Sequence, residues 1–374
     1  MKICRISRPP VNPIFNKYSN GRDHLLKRMK LMGHEVQDFV IKPFRVPHPY
    51  LAYALGIFFS PTRFRKIKPD LLLTDDIESA VASLLLRWIF NIPLVFNFVD
   101  DYSLIASYSK NILKNLRVSV LKCLEKTVPK LADMVIAVNL EIIRFCSNAG
   151  VPKWKLSLVP NGVDTGLFKP KIGDEMLRDH LNLRDNSVVF FRGKMNRQRR
   201  IDIILKAVPI VLTKFPKTKF LLVGDGDNLD NLKALSECLE IEKSVVFVEF
   251  QPQDELLKYI NLSDICLCPL PSGAALSLLE YAACAKPVIL PRGGTEKMGT
   301  SHEIIRQNCT LLVKDSPEGF AQGINFLLSN KEIAKEMGRR ARELVVRSYD
   351  WNILARGYED ALVQIYTRAQ LKKI

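Results

Sequence analysis

The chain has 374 residues, 47% of them hydrophobic, enough for two domains each with its own core. With 55 lysines and arginines against 39 aspartates and glutamates, its formal net charge is +16, a balance that favours anionic partners such as nucleic acid, an acidic membrane surface or phosphorylated ligands. No motif that reads RNA or DNA accompanies the charge, no apolar run reaches the roughly 18 residues that span a bilayer, and the amino terminus has no signal-peptide core, so a cytoplasmic protein that does not bind nucleic acid is expected.

The first predicted elements are a strand over residues 3–6, a proline-containing loop, a helix over 22–32 and a strand over 36–41, a Rossmann-like opening. Ser19 or Asn20 could cap that first helix. Residues 49–59 are apolar and are followed by the basic stretch Arg63–Lys68, which suits either interfacial insertion or a buried core helix. A strand over 71–74 ends in Asp75-Asp76, and one over 94–99 ends in Asp100-Asp101. Ligands of parallel sheets bind beyond the carboxyl ends of strands, so both acidic pairs are candidates for a cleft; helix N-capping is the competing reading of Asp76 and Asp100. Between residues 108 and 130, Lys110, Lys114, Arg117, Lys122, Lys126 and Lys130 alternate with apolar side chains. That basic amphipathic helix fits a membrane surface, or one face packed on the sheet. After a strand over 132–138 and a helix over 140–149, Pro160-Asn161-Gly162-Val163-Asp164 ends a strand in a turn apt for a domain junction, with the boundary near residue 168.

The second half again alternates. Strands are expected over 187–191, 219–223 and 245–250, helices over 201–214, 228–239 and 254–260, and two long helices over 331–347 and 351–372. Directly after the first of these strands, residues 192–200 carry five cations, Arg192, Lys194, Arg197, Arg199 and Arg200. They repel one another unless an anion lies between them, and a nucleotide diphosphate would serve; a solvated or RNA-contacting loop is the alternative.

Residues 264–290 organise the rest. An apolar run ends at Pro269, a loop holds Ser272 and Gly273, a small-residue helix begins near Ala275, and a second apolar run starts at Pro287. The amides from Gly273 through Ala274 and Ala275 to Leu276 can receive a phosphate without any cationic side chain. Glu280 lies inside this helix, where a carboxylate beside an anion is unfavourable, so it reads as an acceptor for a sugar hydroxyl; a solvated helix face is the bland alternative. Of the eight cysteines, Cys266 and Cys268 fall within the apolar strand, where successive side chains point to opposite faces. Neither zinc spacing nor a disulfide framework results, as in a reducing compartment.

Leu278-Leu279-Glu280-Tyr281-Ala282-Ala283 with Lys286-Pro287-Val288 resembles the "lEAmA.GkPVV" signature of the family-four retaining glycosyltransferases. Gly33-His34-Glu35-Val36 is similar to that family's amino-terminal half, residues 160–164 with Phe168 and Pro170 resemble its "vIPNGVD...F.P", and Gly193, Lys194 and Arg199 fall on its "GRL....KG" with the two cation types exchanged. The resemblance covers nearly the whole chain. It implies an α/β fold of the GT-B class: two Rossmann-like doubly wound domains facing across a cleft, with residues 1–168 on the acceptor side, 169–350 binding a nucleotide sugar, and a last helix, 351–374, crossing back.

The same resemblance implies roles. Gly193, Lys194 and Arg199 would hold the diphosphate with the amides from Gly273 to Leu276, and Glu280 would hold the ribose hydroxyls. Gly21 stands in the place of a glycine loop that faces the donor diphosphate and acceptor. Asp100 or Asp101 takes the place of a histidine that contacts the transferring sugar, with Asp100 the candidate carried forward, and Ser272 that of a glutamate that contacts it. Asp225 and Asp227 have the spacing of a metal pair, but the stretch resembles the family's "lvGdG" turn, so no metal and no cofactor are expected, only a nucleoside-diphosphate sugar as donor substrate. The expected activity is transfer of a sugar, with retention, to a hydroxyl on a glycan or lipid-linked acceptor, with an anionic membrane surface as a candidate partner. A catalytically lapsed scaffold that binds a glycan or a partner protein is the alternative.

Overall fold

The computed structural model describes residues 1–7, 21–41, 57, 60–100, 102–103, 114–171, 173–269, 275–292 and 308–371. The apolar run 49–59 therefore lies, but for Ile57, outside the described residues, as do Ser272, Gly273 and Ala274. The chain divides into two compact units, one built from residues 1–160 and 352–374 and the other from 161–351. The division falls ahead of the expected residue 168. Val163 and Phe168 are both buried in the second unit's core, and the Val163 amide donates to the Tyr349 carbonyl at 2.9 Å.

In the first unit, β1 (Lys2–Ser7), α1 (Gly21–Leu31), β2 (Glu35–Val40), α2 (Ser60–Phe64), β3 (Leu71–Thr74), α3 (Ile77–Phe90), β4 (Leu94–Phe98), α4 (Lys114–Leu131), β5 (Met134–Ala137), α5 (Leu140–Asn148) and β6 (Leu156–Leu158) follow in order. The strands pair in parallel, in the order β2-β1-β3-β4-β5-β6. Strands β3, β4 and β5 are buried at every position, as parallel strands covered on both faces must be. In α4, Leu121 and Val128 pack into the core while Leu116 and Val120 are exposed, as are Lys122, Lys126 and Lys130. One apolar face thus covers the sheet and a second apolar strip stays in solvent.

The second unit carries α6 (Glu175–His180), β7 (Ser187–Arg192), α7 (Ile201–Lys214), β8 (Thr218–Val223), α8 (Leu229–Cys238), β9 (Val245–Val248), α9 (Gln253–Leu262), β10 (Ile265–Leu267), α10 (Ala275–Ala283), β11 (Val288–Pro291), β12 (Leu311–Val313), α11 (Pro317–Ser329) and α12 (Lys331–Ser348). Its parallel sheet runs β12-β11-β10-β7-β8-β9, with a large apolar cluster on each face. That is the doubly wound Rossmann order, and its strand sequence reverses between β7 and β10. Cys266 and Cys268, two positions apart, share one face of the sheet and enter the same cluster as Cys284. Two-residue spacing on a strand puts side chains together rather than apart.

The last helix, α13 (Trp351–Leu371), belongs with the first unit from Asn352 onward. Tyr358 is fully buried there, and its hydroxyl accepts from Asn97 Nδ2 at 2.9 Å. His34 Nε2 lies 2.6 Å from Glu359 Oε1, and the Arg368 guanidinium stacks 3.5 Å over the Trp154 ring.

Candidate functional site

The reversal between β7 and β10 sets the carboxyl ends of these two strands side by side, at the position where doubly wound sheets bind ligands, with the cationic loop 192–200 after the first and α10 beyond the second. The cationic loop is anchored through its backbone. The Gly193 amide donates to the Val223 carbonyl at 3.0 Å, the Met195 amide to that of Asp225 at 2.7 Å, and the Asn228 amide to that of Met195 at 2.9 Å. The 224–226 segment can approach this closely because residues 224 and 226 are glycines; a Cβ on Gly226 would lie 2.5 Å from the Met195 oxygen. Val223-Gly-Asp-Gly-Asp is thus the brace of the cationic loop. The Asn196 side chain then caps a short turn by accepting from the Arg199 amide at 3.2 Å. Arg200 leaves that turn with φ +53°, and its guanidinium pairs with Asp315.

Lys194 and Arg199 are both half-buried. Burial, and then the positive charge of Arg199, hold the Lys194 ammonium below the ordinary lysine range, with Asp225 acting in the opposite direction. Two cations that disfavour each other's charge are relieved by an anion between them.

The helix that follows β10 in the chain is α10. Glu280 on this helix has its side chain 6% exposed, which removes the solvated-face alternative. Its partner is Arg192, the last residue of β7, also largely buried at 17%. Arg192 Nε donates to Glu280 Oε2 at 2.9 Å, and Nη2 donates to the same oxygen. The Arg192 amide donates to the hydroxyl of Tyr281 at 2.9 Å. Among the described residues, no hydrogen bond reaches the other oxygen, Oε1. Cys268 lies among these groups: burial pushes its thiol up to about 12, Arg199 and Arg192 pull against that, and Glu280 adds to it. Its sulfur is 3.9 Å from Ser277 Oγ on α10. Arg192, Arg199, Glu280 and Ser277 of α10 thus surround one buried thiol.

Of the residues singled out in the sequence, Gly193, Lys194, Arg199, Ala275, Leu276 and Glu280 stand in the second unit around this switch point, with Ala275 the first residue of α10. Gly21 opens α1 and Asp100 lies exposed on the bend after β4, both in the first unit. Asp76 is a cap, its side chain accepting from the Ser79 amide at 2.7 Å. Asp75 is buried, with Arg5 Nε 2.6 Å from its Oδ2 and Asn97 donating to its Oδ1 at 2.6 Å. Sequence reasoning counted Arg192 among five cations and gave it no role of its own. Its position as the last strand residue, ahead of the glycine that opens the loop, was the available signal.

Two family models match the chain: "Glycosyltransferase Family 4" over residues 18–167 and "Glycosyl transferases group 1" over residues 174–344. Among curated relatives, the GDP-mannose-dependent alpha-(1-6)-phosphatidylinositol monomannoside mannosyltransferase of Mycolicibacterium smegmatis is 27% identical over 219 residues, 56% of this chain and 56% of that protein. The chain thus spans little more than half the length of such relatives. Among solved structures, sucrose-phosphate synthase from Thermosynechococcus elongatus superposes with a TM-score of 0.77 at 19% identity, covering 98% of this chain and 99% of the other. The Anabaena protein HepE, in complex with UDP-glucose, superposes at 0.73 with 18% identity, covering 97% and 100%. These similarities join the two parallel six-stranded sheets to the GT-B architecture. The chain belongs to the family-four, group 1 glycosyltransferases.

Proposed function

We propose that this protein transfers a sugar, with retention of anomeric configuration, from a nucleoside-diphosphate sugar to a hydroxyl acceptor. The observation that carries the reading is the Glu280 carboxylate, nearly buried on α10, with one oxygen on Arg192, the residue that leads into the cationic loop, and the other without a hydrogen bond among the described residues. In this reading Oε1 accepts from the ribose hydroxyls. Lys194 and Arg199, with the amides at the start of α10, take the diphosphate and stabilise the charge that develops on it as the glycosidic bond breaks. Cations supplied by the chain itself make the reaction metal-independent in this scheme. Asp100 is the first unit's own candidate residue in this scheme. Supporting the donor class, the Mycolicibacterium smegmatis relative is named as GDP-mannose-dependent and the HepE structure holds UDP-glucose.

The acceptor is proposed to be a glycan or lipid-linked hydroxyl met at an anionic membrane surface. The net charge of +16, the exposed Leu116, Val120 and lysines of α4, and a relative named for a phosphatidylinositol substrate support this. The association is proposed as peripheral, on the basic face of α4; no helix among the described residues is long and apolar enough to cross a membrane.

The test is thermal stabilisation by UDP-, GDP- and ADP-sugars, followed by product analysis with NMR assignment of the new anomeric centre. A donor that raises Tm and yields a retained glycoside is expected. Stabilisation without transfer to any acceptor or to water would favour the lapsed scaffold, and no stabilisation by any donor would refute the proposal.

A further inference from the structure

A guanidinium facing a carboxylate ordinarily forms a fork on a fork, two nitrogens on two oxygens. Arg192 does otherwise here, with Nε and Nη2 both on Oε2 of Glu280. This one-oxygen grip satisfies the charge of a carboxylate whose side chain is only 6% exposed while leaving Oε1 without a hydrogen bond among the described residues. The grip also has a rigid base. Arg192 closes β7, whose neighbouring positions Val189 and Phe190 are paired to β10, and its amide is held by the hydroxyl of Tyr281, the residue next to Glu280. Tyr281 is fully buried, with its ring edge-on to Phe190 at 5.7 Å. Strand end and helix are therefore locked together on both sides of the carboxylate, so that one Glu280 rotamer is selected from the several a helix allows.

We infer that Arg192 is a positioning residue for nucleotide recognition: by occupying Oε2 it aims Oε1 of Glu280 at the ribose, and so sets the preference for ribonucleotides over 2′-deoxyribonucleotides. The inference rests on the reading that Glu280 receives the ribose hydroxyls. A purely structural ion pair would move stability and leave ribose selection unchanged.

The experiment is calorimetric titration of the full chain with UDP, GDP and ADP, each beside its 2′-deoxy counterpart, for wild type, Arg192→Met, Arg192→Lys and Glu280→Gln. A hydrogen bond to a charged acceptor is worth about tenfold or more in affinity, so wild type should favour the ribonucleotide by at least about tenfold. Arg192→Met should bring that ratio to near one while binding the deoxynucleotide within about threefold of wild type, because the diphosphate contacts remain. Arg192→Lys, which keeps the charge but not the planar fork, should give an intermediate ratio, and it serves alone if Arg192→Met does not fold. A wild-type ratio retained in folded Arg192→Met, or in Arg192→Lys where only that variant folds, overturns the inference and leaves Glu280 as the ribose acceptor. A wild-type ratio near one, or one that Glu280→Gln leaves unchanged, overturns the Glu280 reading and with it the role of Arg192. Binding of none of the nucleotides overturns both.

Discussion

Gly224 lies so close to Gly193 that a Cβ built on it would stand 1.9 Å from the Gly193 carbonyl oxygen. The obstacle is backbone, so no side-chain rotation relieves it. Gly224→Ala should therefore displace the cationic loop from its brace, costing about 1–3 kcal/mol of stability and weakening donor binding more than chemical denaturation alone accounts for. Paired urea melts and nucleotide titrations check this; a variant that binds as wild type does would show that the brace does not set the loop.

Lys194 gives a pH dependence with a definite sign. Its ammonium is held below the ordinary lysine range in the free protein, and a bound diphosphate favours the charged form, so the complex holds the proton more firmly. Affinity for a nucleoside diphosphate should fall as pH rises through the free-protein value, by at most about tenfold per pH unit. Lys194→Arg keeps its charge throughout and should flatten the profile on its alkaline side. Calorimetry at a series of alkaline pH values decides, and an equally steep decline in the variant would assign the effect to another group.

Arg200 should be replaceable by glycine at little cost. A non-glycine residue at φ +53° carries roughly 1–2 kcal/mol of backbone strain, whereas the partly exposed pair with Asp315 is worth about 0–1 kcal/mol. Because glycine also loosens the unfolded chain by about 0.4–1 kcal/mol, Arg200→Gly should lie within about 1 kcal/mol of wild type in a urea melt. A larger loss would mean that Asp315 depends on Arg200 more than its exposure implies.

Acid should weaken the first unit through Asp133. Burial would raise this carboxyl, but bonds from Arg87 at 2.6 and 2.8 Å and from the Leu94 amide at 2.9 Å outweigh it and hold it below the usual range. Its contribution is complete above the unfolded value of about pH 4 and is lost as pH falls through the folded one. Asp133→Asn should lower Tm at pH 7 and narrow its difference from wild type toward pH 3, as calorimetric scans at several pH values would record. A constant gap would point to lost packing rather than lost charge.

Membrane association is testable on α4. Reversing Lys122, Lys126 and Lys130 to Glu removes three exposed cations, each worth about 1 kcal/mol at an anionic surface. Sedimentation with phosphatidylglycerol vesicles should then fall by about a hundredfold or more in apparent affinity, while donor binding in the other unit is unchanged. Equal sedimentation of both proteins would remove this helix from the proposal.

Much of the fold was legible because parallel strands and their helices carry strong periodic signals: strand 71–74 and helix 201–214 were anticipated to the residue. Strand β12, three residues long and only partly buried, carried too little pattern to register. Helix α11 had its signals in place, with Ser316 capping the Gly319 amide and Pro317 in the first turn, yet it passed unread. At the site, local spacing revealed the cations and the small-residue helix. The grip of Arg192 on Glu280 was hidden, since it joins residues brought together only when β10 pairs with β7. The union of Arg5, Asp75, Asn97 and Tyr358 was hidden for the same reason, being made by strands and a last helix far apart in the chain.

The return of the final helix to the first unit has a consequence for biosynthesis. The second unit is a continuous insertion whose entry and exit are stitched together, Val163 bonding to Tyr349 at 2.9 Å and Trp351 to Val163 at 3.1 Å. Every residue of that insertion precedes 352–371 in the chain, while the earlier sheet is completed only by the helix that buries Asn97 under Tyr358. The segment made first is thus the last to be completed, and a released chain truncated after residue 351 would hold a whole second unit and a first unit lacking its last helix.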